Sequence, residues 1–316
     1  RPFATPSGRT HPSPASTFCN TLWKDASQCR PDYFNSLWKD ASQCRPDYFN
    51  RLQSDADQKD GPGFAGRTTG ISSMTDAWTS VGKRAIVVVG KPAIEGRAKT
   101  RLAASIGDET ATRLYRCFLK DLAALVRSVC EASSVETTPI LAWKDDPEHG
   151  SYEPFRAANF GLVGQPPGDL GECMFGLARA AFEGGADRVL IVGTDSPTLL
   201  PRHFDAAERC LEDGADVVLG PSFDGGYYMI GLSGAHDAVF RDIDWSTGAV
   251  LAQTLERGRE AQLLCELTEF WYDVDTLGDL KKMRAHLFEF LQYRHPDLAV
   301  ETRGFLESLP KDVLEP

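Results

Sequence analysis

Arg188–Pro197, RVLIVGTDSP, carries four consecutive apolar residues, Val189, Leu190, Ile191 and Val192. A run so short and unbroken predicts a strand buried on both faces of a sheet. Gly193 and Thr194 end the run, Asp195 follows at once, and Pro197 stops any further ladder. Asp195 is thereby placed at the carboxyl end of a central strand, which is where ligands bind in open α/β sheets. The same residue also reads as the cap of a turn before Ser-Pro.

Working outward, similar runs occur at Arg84–Val89, Thr138–Trp143, Ala215–Leu219 and Tyr227–Ile230, with a short one at Phe270–Tyr272. Helical spacing fills the intervals. Leu114, Phe118, Leu122 and Leu125 recur within Gly107–Cys130, and Leu170, Met174, Leu177 and Ala181 follow Asp169. Strands alternating with helices predict an α/β domain with a mostly parallel central sheet flanked by helices.

The first strand runs into GKPAIEGRAKTRL, Gly90–Leu102. Gly90 and Gly96 permit close backbone approach to an anion, and Lys91, Arg97, Lys99 and Arg101 supply charge for a triphosphate. The loop is neither a GxxxxGK[ST] phosphate loop nor a GxGxxG dinucleotide turn. Acidic residues end the other strands. Asp224 precedes Gly225 and Gly226, and reads either as a turn residue or as the group that holds an acceptor hydroxyl. Asp273 and Asp275 lie two apart, so on an extended chain they share a face. Asp195, Asp273 and Asp275 are the expected ligands of a hard divalent ion, Mg²⁺ or Mn²⁺. Lys99, Asp195 and Asp224 are the expected catalytic groups. Asp169 and Glu172 have capping-box spacing, and GDLGE also reads as nucleotide-pocket wall. Ser246 or Thr247 reads as an N-cap, and Thr276 with Asp279 as a second capping pair. Asp145, Asp146, Glu148 and His149 read as a solvated turn rather than a metal site.

The chain has 316 residues and a net charge of −11. That acidity argues against nucleic acid or an anionic membrane as the main partner. No apolar run reaches the roughly 18–20 residues that span a bilayer. Eight cysteines include no CxxC pair, and Cys117, Cys130, Cys173, Cys210 and Cys265 read as small hydrophobes of a reduced compartment. Residues 1–80 read as a leader with little packed structure. They contain LWKDASQCRPDYFN twice, at Leu22–Asn35 and Leu37–Asn50. Up to Trp23 the composition is that of an organelle transit peptide. A functioning leader implies a plastid or other organelle, and otherwise the expectation is cytoplasm. The folded domain is expected over residues 81–294, with a C-terminal extension over 295–316.

The stretches GKPAIEGRAKTRL, GDLGE, GTDSP, GPSFDGGYYMIGL, WST and YDVDT occur in this order. Together they resemble the radical-SAM/selenodomain-associated transferase 1 family, over about Arg84–His286. That family is similar to the phospholactate and molybdenum-cofactor guanylyltransferases, in the nucleotide-diphospho-sugar transferase superfamily with its GT-A-like fold. The resemblance implies that Lys91, Arg97, Lys99 and Arg101 hold nucleotide phosphates. It makes Asp195 a metal ligand with Asp273 or Asp275 as partner, and has Gly225 and Gly226 shape an acceptor pocket. Leu277-Gly278 departs from the Pro-Glu usual there. The expected activity is Mg²⁺-dependent nucleotidyl transfer from an NTP to a small phosphorylated or hydroxyl acceptor. Glycosyl transfer from a nucleotide sugar is the alternative. The oligomeric state stays open, a homodimer included.

Overall fold

The computed structural model describes residues 76–79 and 81–310. The duplication, the polar linker, Cys19, Cys29 and Cys44 lie outside the described residues. Seven strands form one sheet in the order β3-β2-β1-β4-β6-β5-β7. In chain order the elements begin with β1 (Arg84–Val89), α1 (Thr100–Ile106), α2 (Asp108–Ala132), β2 (Thr137–Trp143), α3 (Glu153–Ala157) and β3 (Gly161–Gly164). Next come α4 (Leu170–Glu183), β4 (Arg188–Val192), α5 (Pro201–Glu212), β5 (Val217–Pro221) and β6 (Tyr227–Leu232). The chain continues with α6 (Val250–Glu260), β7 (Cys265–Leu267), α7 (Leu277–His286) and α8 (Val300–Ser308). β1 pairs in parallel with β2 and with β4, and β2 with β3. β6 runs antiparallel between β4 and β5, and β7 closes the edge parallel to β5.

Period-2 alternation divides the core between the two faces of the sheet. Ile86, Val88, Leu141, Leu190, Val192 and Val218 face one layer, together with Leu114, Phe118, Phe204, Leu280 and Leu306. Ala85, Val87, Ile140, Val189, Ile191 and Leu219 face the other, together with Met174, Leu177, Ala181 and Val239. The central strands are buried on both sides, as an α/β sheet requires. At their amino ends the buried Glu208 of α5 pairs with Arg84 and Arg188, at 3.6 and 3.1 Å. This charge cluster sits at the end of the strands opposite the carboxyl ends that carry Asp195.

Two local expectations need correction. Phe270–Tyr272 does not form a strand; it makes only an isolated bridge, Ser222 to Trp271. Trp271 N donates to the Pro221 carbonyl at 3.0 Å, and the bridge extends no further, so the run develops no ladder. The strand there is Cys265–Leu267 instead. Neither Ser246 nor Thr247 is the N-cap of α6. Ala249 takes that place without a side-chain bond, and the Gly225 carbonyl accepts from Leu251 N at 2.9 Å. The Thr247 hydroxyl accepts from Ala249 N at 3.3 Å, just ahead of the helix, while the donor of its first turn is satisfied by the tertiary contact. The helix of Leu280 and Met283 continues past His286 through a π-helical turn, Leu287–Leu291.

Beyond Pro296 the chain packs on the domain. Asp121 of α2 accepts from Glu301 N and Thr302 N, at 3.0 and 2.9 Å, and so caps α8. Leu298, Ala299 and Leu306 join the core. Cys117, Cys130, Cys173, Cys210 and Cys265 are free thiols. No helix among the described residues is long and apolar enough to cross a membrane.

Candidate active site

The strand order reverses between β1 and β4, since β1 leads outward to β2 and β3 while β4 borders β6 and β5. Loops leaving the carboxyl ends of β1 and β4 therefore diverge, and a crevice opens between them. A cavity of about 1090 Å³ lies at that point, lined by residues from both halves of the sheet.

Lys99 is the central side chain. It takes a left-handed conformation, φ 50°, just before α1, and only 5% of its side chain is exposed. Its ammonium lies over the rings of Tyr115 and Phe118, at 5.8 and 5.7 Å. It pairs with Asp275 Oδ1 at 2.9 Å and also with Asp195. Burial works against its charge, but Asp195 and Asp275 outweigh that, and the pKa stays above the ordinary lysine value. Arg101 pairs with the other oxygen of Asp275. Arg97 pairs at 3.4 Å with Asp145, beyond the end of β2. Lys91 and Lys144 make no ion pair among the described residues, and both line the cavity.

The two acidic segments meet through the backbone. Val274 N donates to the Asp195 carbonyl at 2.9 Å, which lays residues 273–275 across the end of β4. Val274 is fully buried, so its neighbours Asp273 and Asp275 both face the cavity, as their spacing predicts. Burial, reinforced by Asp224, Asp275 and Asp195, pushes the Asp273 carboxyl up to about 7. Asp224 sits at the tip of the β5–β6 turn, where its Oδ1 accepts from Ser222 Oγ at 2.5 Å and Gly226 N at 2.9 Å. Asp224 is therefore the turn residue of one reading, its Oδ1 closing the turn, and it also lines the cavity. Asp169 is likewise the N-cap of α4, in a complete capping box with Glu172, and also lines the wall.

Gly226 lines the cavity, whereas Gly90, Gly96 and Gly225 shape the backbone behind it. Gly96 has φ 72° in the turn that carries Arg97. Gly225 has φ 91°, and a Cβ there would drive into the Gly248 carbonyl. Sequence reasoning did not single out Tyr115, Lys144, Gln165 or Ser222. Tyr115 bonds Thr194 at 2.8 Å beneath the Lys99 ammonium, and Gln165 Nε2 donates to the Gly90 carbonyl at 2.7 Å. Ser222 lies two residues before Asp224, and Lys144 adjoins Asp145 at the end of a strand run, so position was the available signal for both, whereas Tyr115 sits within a helix read as core.

Cations expected to hold phosphate and carboxylates expected to hold metal are thus paired with one another. Among the described residues no three His, Cys, Asp or Glu side chains stand ready as a metal cluster. Asp195 and Asp275 are held together by Lys99 instead. In the turn after β2, Asp146 accepts from Glu148 N at 2.9 Å and His149 from Ser151 N at 3.2 Å, while Asp145, paired with Arg97, lines the cavity.

Residues 126–247 match a family model described as uncharacterized proteins conserved in bacteria, DUF2064. The finer radical-SAM/selenodomain grouping rests on the motifs alone. No curated protein matches the sequence. A crystal structure from Desulfovibrio desulfuricans G20, provisionally named a nucleotide-diphospho-sugar transferase, is 28% identical. It aligns over 74% of this chain and 96% of its own length, with a TM-score of 0.62. A cytidylyltransferase from Leptospira borgpetersenii aligns at 11% identity and TM-score 0.43, over 74% and 98%. Glucosyl-3-phosphoglycerate synthase from Mycobacterium tuberculosis, solved with Mn²⁺ and UDP, aligns at 11% and 0.39, over 73% and 86%. The seven-stranded, mostly parallel sheet with its flanking helices is the GT-A-like fold of nucleotide-diphospho-sugar transferases.

Proposed function

We propose that the chain is a metal-dependent transferase that takes a sugar from a nucleoside-diphosphate donor and passes it to a small hydroxyl-bearing acceptor. The observation that carries this reading is the opposed charge at the crevice. Lys91, Arg97, Lys99, Arg101 and Lys144 come from the β1 and β2 side, and Asp195, Asp224, Asp273 and Asp275 from the other. The donor set is all carboxylate, the chemistry that hard divalent ions select.

Asp195 with Asp273 or Asp275 would hold the ion. When bound, Mg²⁺ or Mn²⁺ supplies neutralisation of the diphosphate as it leaves. Lys91 and Lys144 are placed to meet phosphate oxygens directly. Arg101 and Lys99, each held by a carboxylate, stand at the same cavity. Asp224 is positioned to take the proton of the acceptor hydroxyl while its oxygen forms the bond to the sugar carbon and the nucleoside diphosphate departs. The protein positions the reactants and balances their charge, and no covalent intermediate is required.

Nucleotidyl transfer from an NTP is the second reading, favoured in the sequence by four cations within one loop. In the folded chain three of those four already pair with carboxylates, which lessens the case for a triphosphate. The likeness to the Desulfovibrio protein favours a nucleotide sugar.

The test is a thermal-shift panel of nucleotide sugars and NTPs with and without Mg²⁺ or Mn²⁺, on wild type and Asp195→Ala. Ligands that bind the native state raise its melting temperature. A nucleotide sugar should stabilise the wild type only with metal, and the variant should lose the effect. Turnover then yields nucleoside diphosphate; pyrophosphate instead selects the second reading. Equal shifts in both proteins would refute either form of the proposal.

A further inference from the structure

Tyr115 carries none of the opposed charges at the crevice, yet it touches the segments that carry both. It belongs to α2, beside the core residues Leu114, Phe118 and Leu119, and only 4% of it is exposed. Its ring lies beneath the Lys99 ammonium, and the residue lines the cavity.

The hydroxyl stands between two distant stretches of chain. The Lys91 carbonyl lies 3.3 Å from it and Thr194 Oγ1 lies 2.8 Å from it. A carbonyl only accepts, so the single tyrosine proton goes to Lys91, and Thr194 donates to the tyrosine oxygen. Burial and the nearby Asp195 push the phenol pKa up, so that proton stays in place. The resulting chain, Thr194 to Tyr115 to Lys91, joins the residue before Asp195 to the start of the basic loop.

Three side chains tether that loop near its start. Gln165 Nε2 donates to the Gly90 carbonyl at 2.7 Å, Tyr115 donates to the Lys91 carbonyl, and Ser151 Oγ accepts from Ala93 N at 2.9 Å. Gln165 follows β3 and Ser151 lies between β2 and β3, so both tie the loop to its own half of the sheet. The Tyr115 tether runs on to Thr194, two residues beyond β4. β1 and β4 are the strands between which the crevice opens, so this tether crosses from one side of the site to the other. We infer that Tyr115 is the positioning residue of the site: its hydroxyl fixes the spacing between Lys91, which meets the donor phosphate, and Asp195, which holds the ion. This inference rests on the transferase reading above. A nucleoside diphosphate that spans Lys91 and the ion binds less well once the two can drift, because the missing order must then be supplied on binding. The ion alone touches carboxylates and is indifferent to Lys91.

The full chain is compared as wild type, Tyr115→Phe and Thr194→Val. Phenylalanine keeps the ring beneath Lys99, and valine keeps the branched shape of threonine, so each variant removes hydroxyl bonds and little else. Calorimetry measures the dissociation constant of Mn²⁺ alone, and of ADP, CDP, GDP and UDP each in excess Mn²⁺. Amide hydrogen exchange is followed over residues 90–98 and over the sheet. Tyr115→Phe should bind the preferred diphosphate about tenfold more weakly and exchange the loop amides about tenfold faster, while binding Mn²⁺ alone as wild type does. Thr194→Val should move both readouts in the same direction by a smaller factor, because Tyr115 keeps its bond to Lys91. Unchanged loop exchange in Tyr115→Phe overturns the inference. So does faster exchange spread evenly over the sheet, which marks a role in stability alone. An equal loss of Mn²⁺ and diphosphate affinity also overturns it, because the effect then lies at the carboxylates. If Tyr115→Phe binds the diphosphate as tightly as wild type, the transferase reading survives and the positioning role falls. If wild type binds no diphosphate in Mn²⁺ while the Tyr115→Phe loop exchanges faster, the tether stands and it is the transferase reading that fails.

Discussion

Replacing Lys99 by Met removes the positive charge that holds the cleft together while keeping a side chain of similar length. The ammonium touches two carboxylates and is almost fully buried, with Asp195 51% and Asp275 25% exposed. Deleting one partner of a fully buried pair costs about 3–5 kcal/mol. Asp195 is half in water and Asp275 keeps Arg101, so a loss of about 2 kcal/mol is expected. For a domain of this size that corresponds to a melting temperature lower by roughly 4–8 °C. The pKa of Lys99 is raised in the fold, so its contribution is complete below the ordinary lysine value and lost as pH rises through the higher folded value. At pH 7.5 the deficit of Lys99→Met should therefore be fully visible. It should shrink on acidification, as Asp273, pushed up to about 7, protonates and relieves the crowding of charge. Mg²⁺ should stabilise the variant more than the wild type, because the ion no longer competes with an ammonium for Asp195 and Asp275. Differential scanning calorimetry across pH 4–8, with and without Mg²⁺, measures all three effects. A variant as stable as wild type at pH 7.5, or an equal Mg²⁺ effect on both, would show that Lys99 does not organise these carboxylates.

Asp273→Asn should act in the opposite direction. The folded carboxyl titrates near 7, above the ordinary 3.8, so native Asp273 loses stability as pH rises through that window. The variant should gain roughly 2 kcal/mol at pH 8 and little at pH 4; a gain that is the same at both pH values would contradict the crowding of charge. Gly225→Ala combines a left-handed φ of 91° with a clash against the Gly248 carbonyl and disturbs the bond that caps α6. It should cost roughly 3 kcal/mol, read as a lower urea midpoint at unchanged slope. An unshifted midpoint would mean that the turn relaxes without cost.

Much of this protein was legible from local pattern. The apolar runs at Arg84–Val89 and Arg188–Val192 are strands because their side chains have no polar face to offer water, so only a doubly covered sheet accommodates them. The capping boxes at Asp169 and Thr276 were equally readable, since a helix start is satisfied within four residues. Asp273 and Asp275 shared a face because strand-like alternation is also local. Tertiary structure decided what those groups do to one another. Lys99 and Asp275 are 176 residues apart in the chain and 2.9 Å apart in space. No spacing rule links them; the link exists because β1 and β4 are neighbours and Val274 is tied to Asp195. On α6 a distant backbone group, the Gly225 carbonyl, takes the first-turn donor of a helix whose start local sequence assigned to a hydroxyl. Charge and hydrogen-bond partners act through space, whereas apolar periodicity acts along the chain. Sequence therefore determined the sheet, its helices and the chemical types gathered at the strand ends, and the fold alone set their pairings.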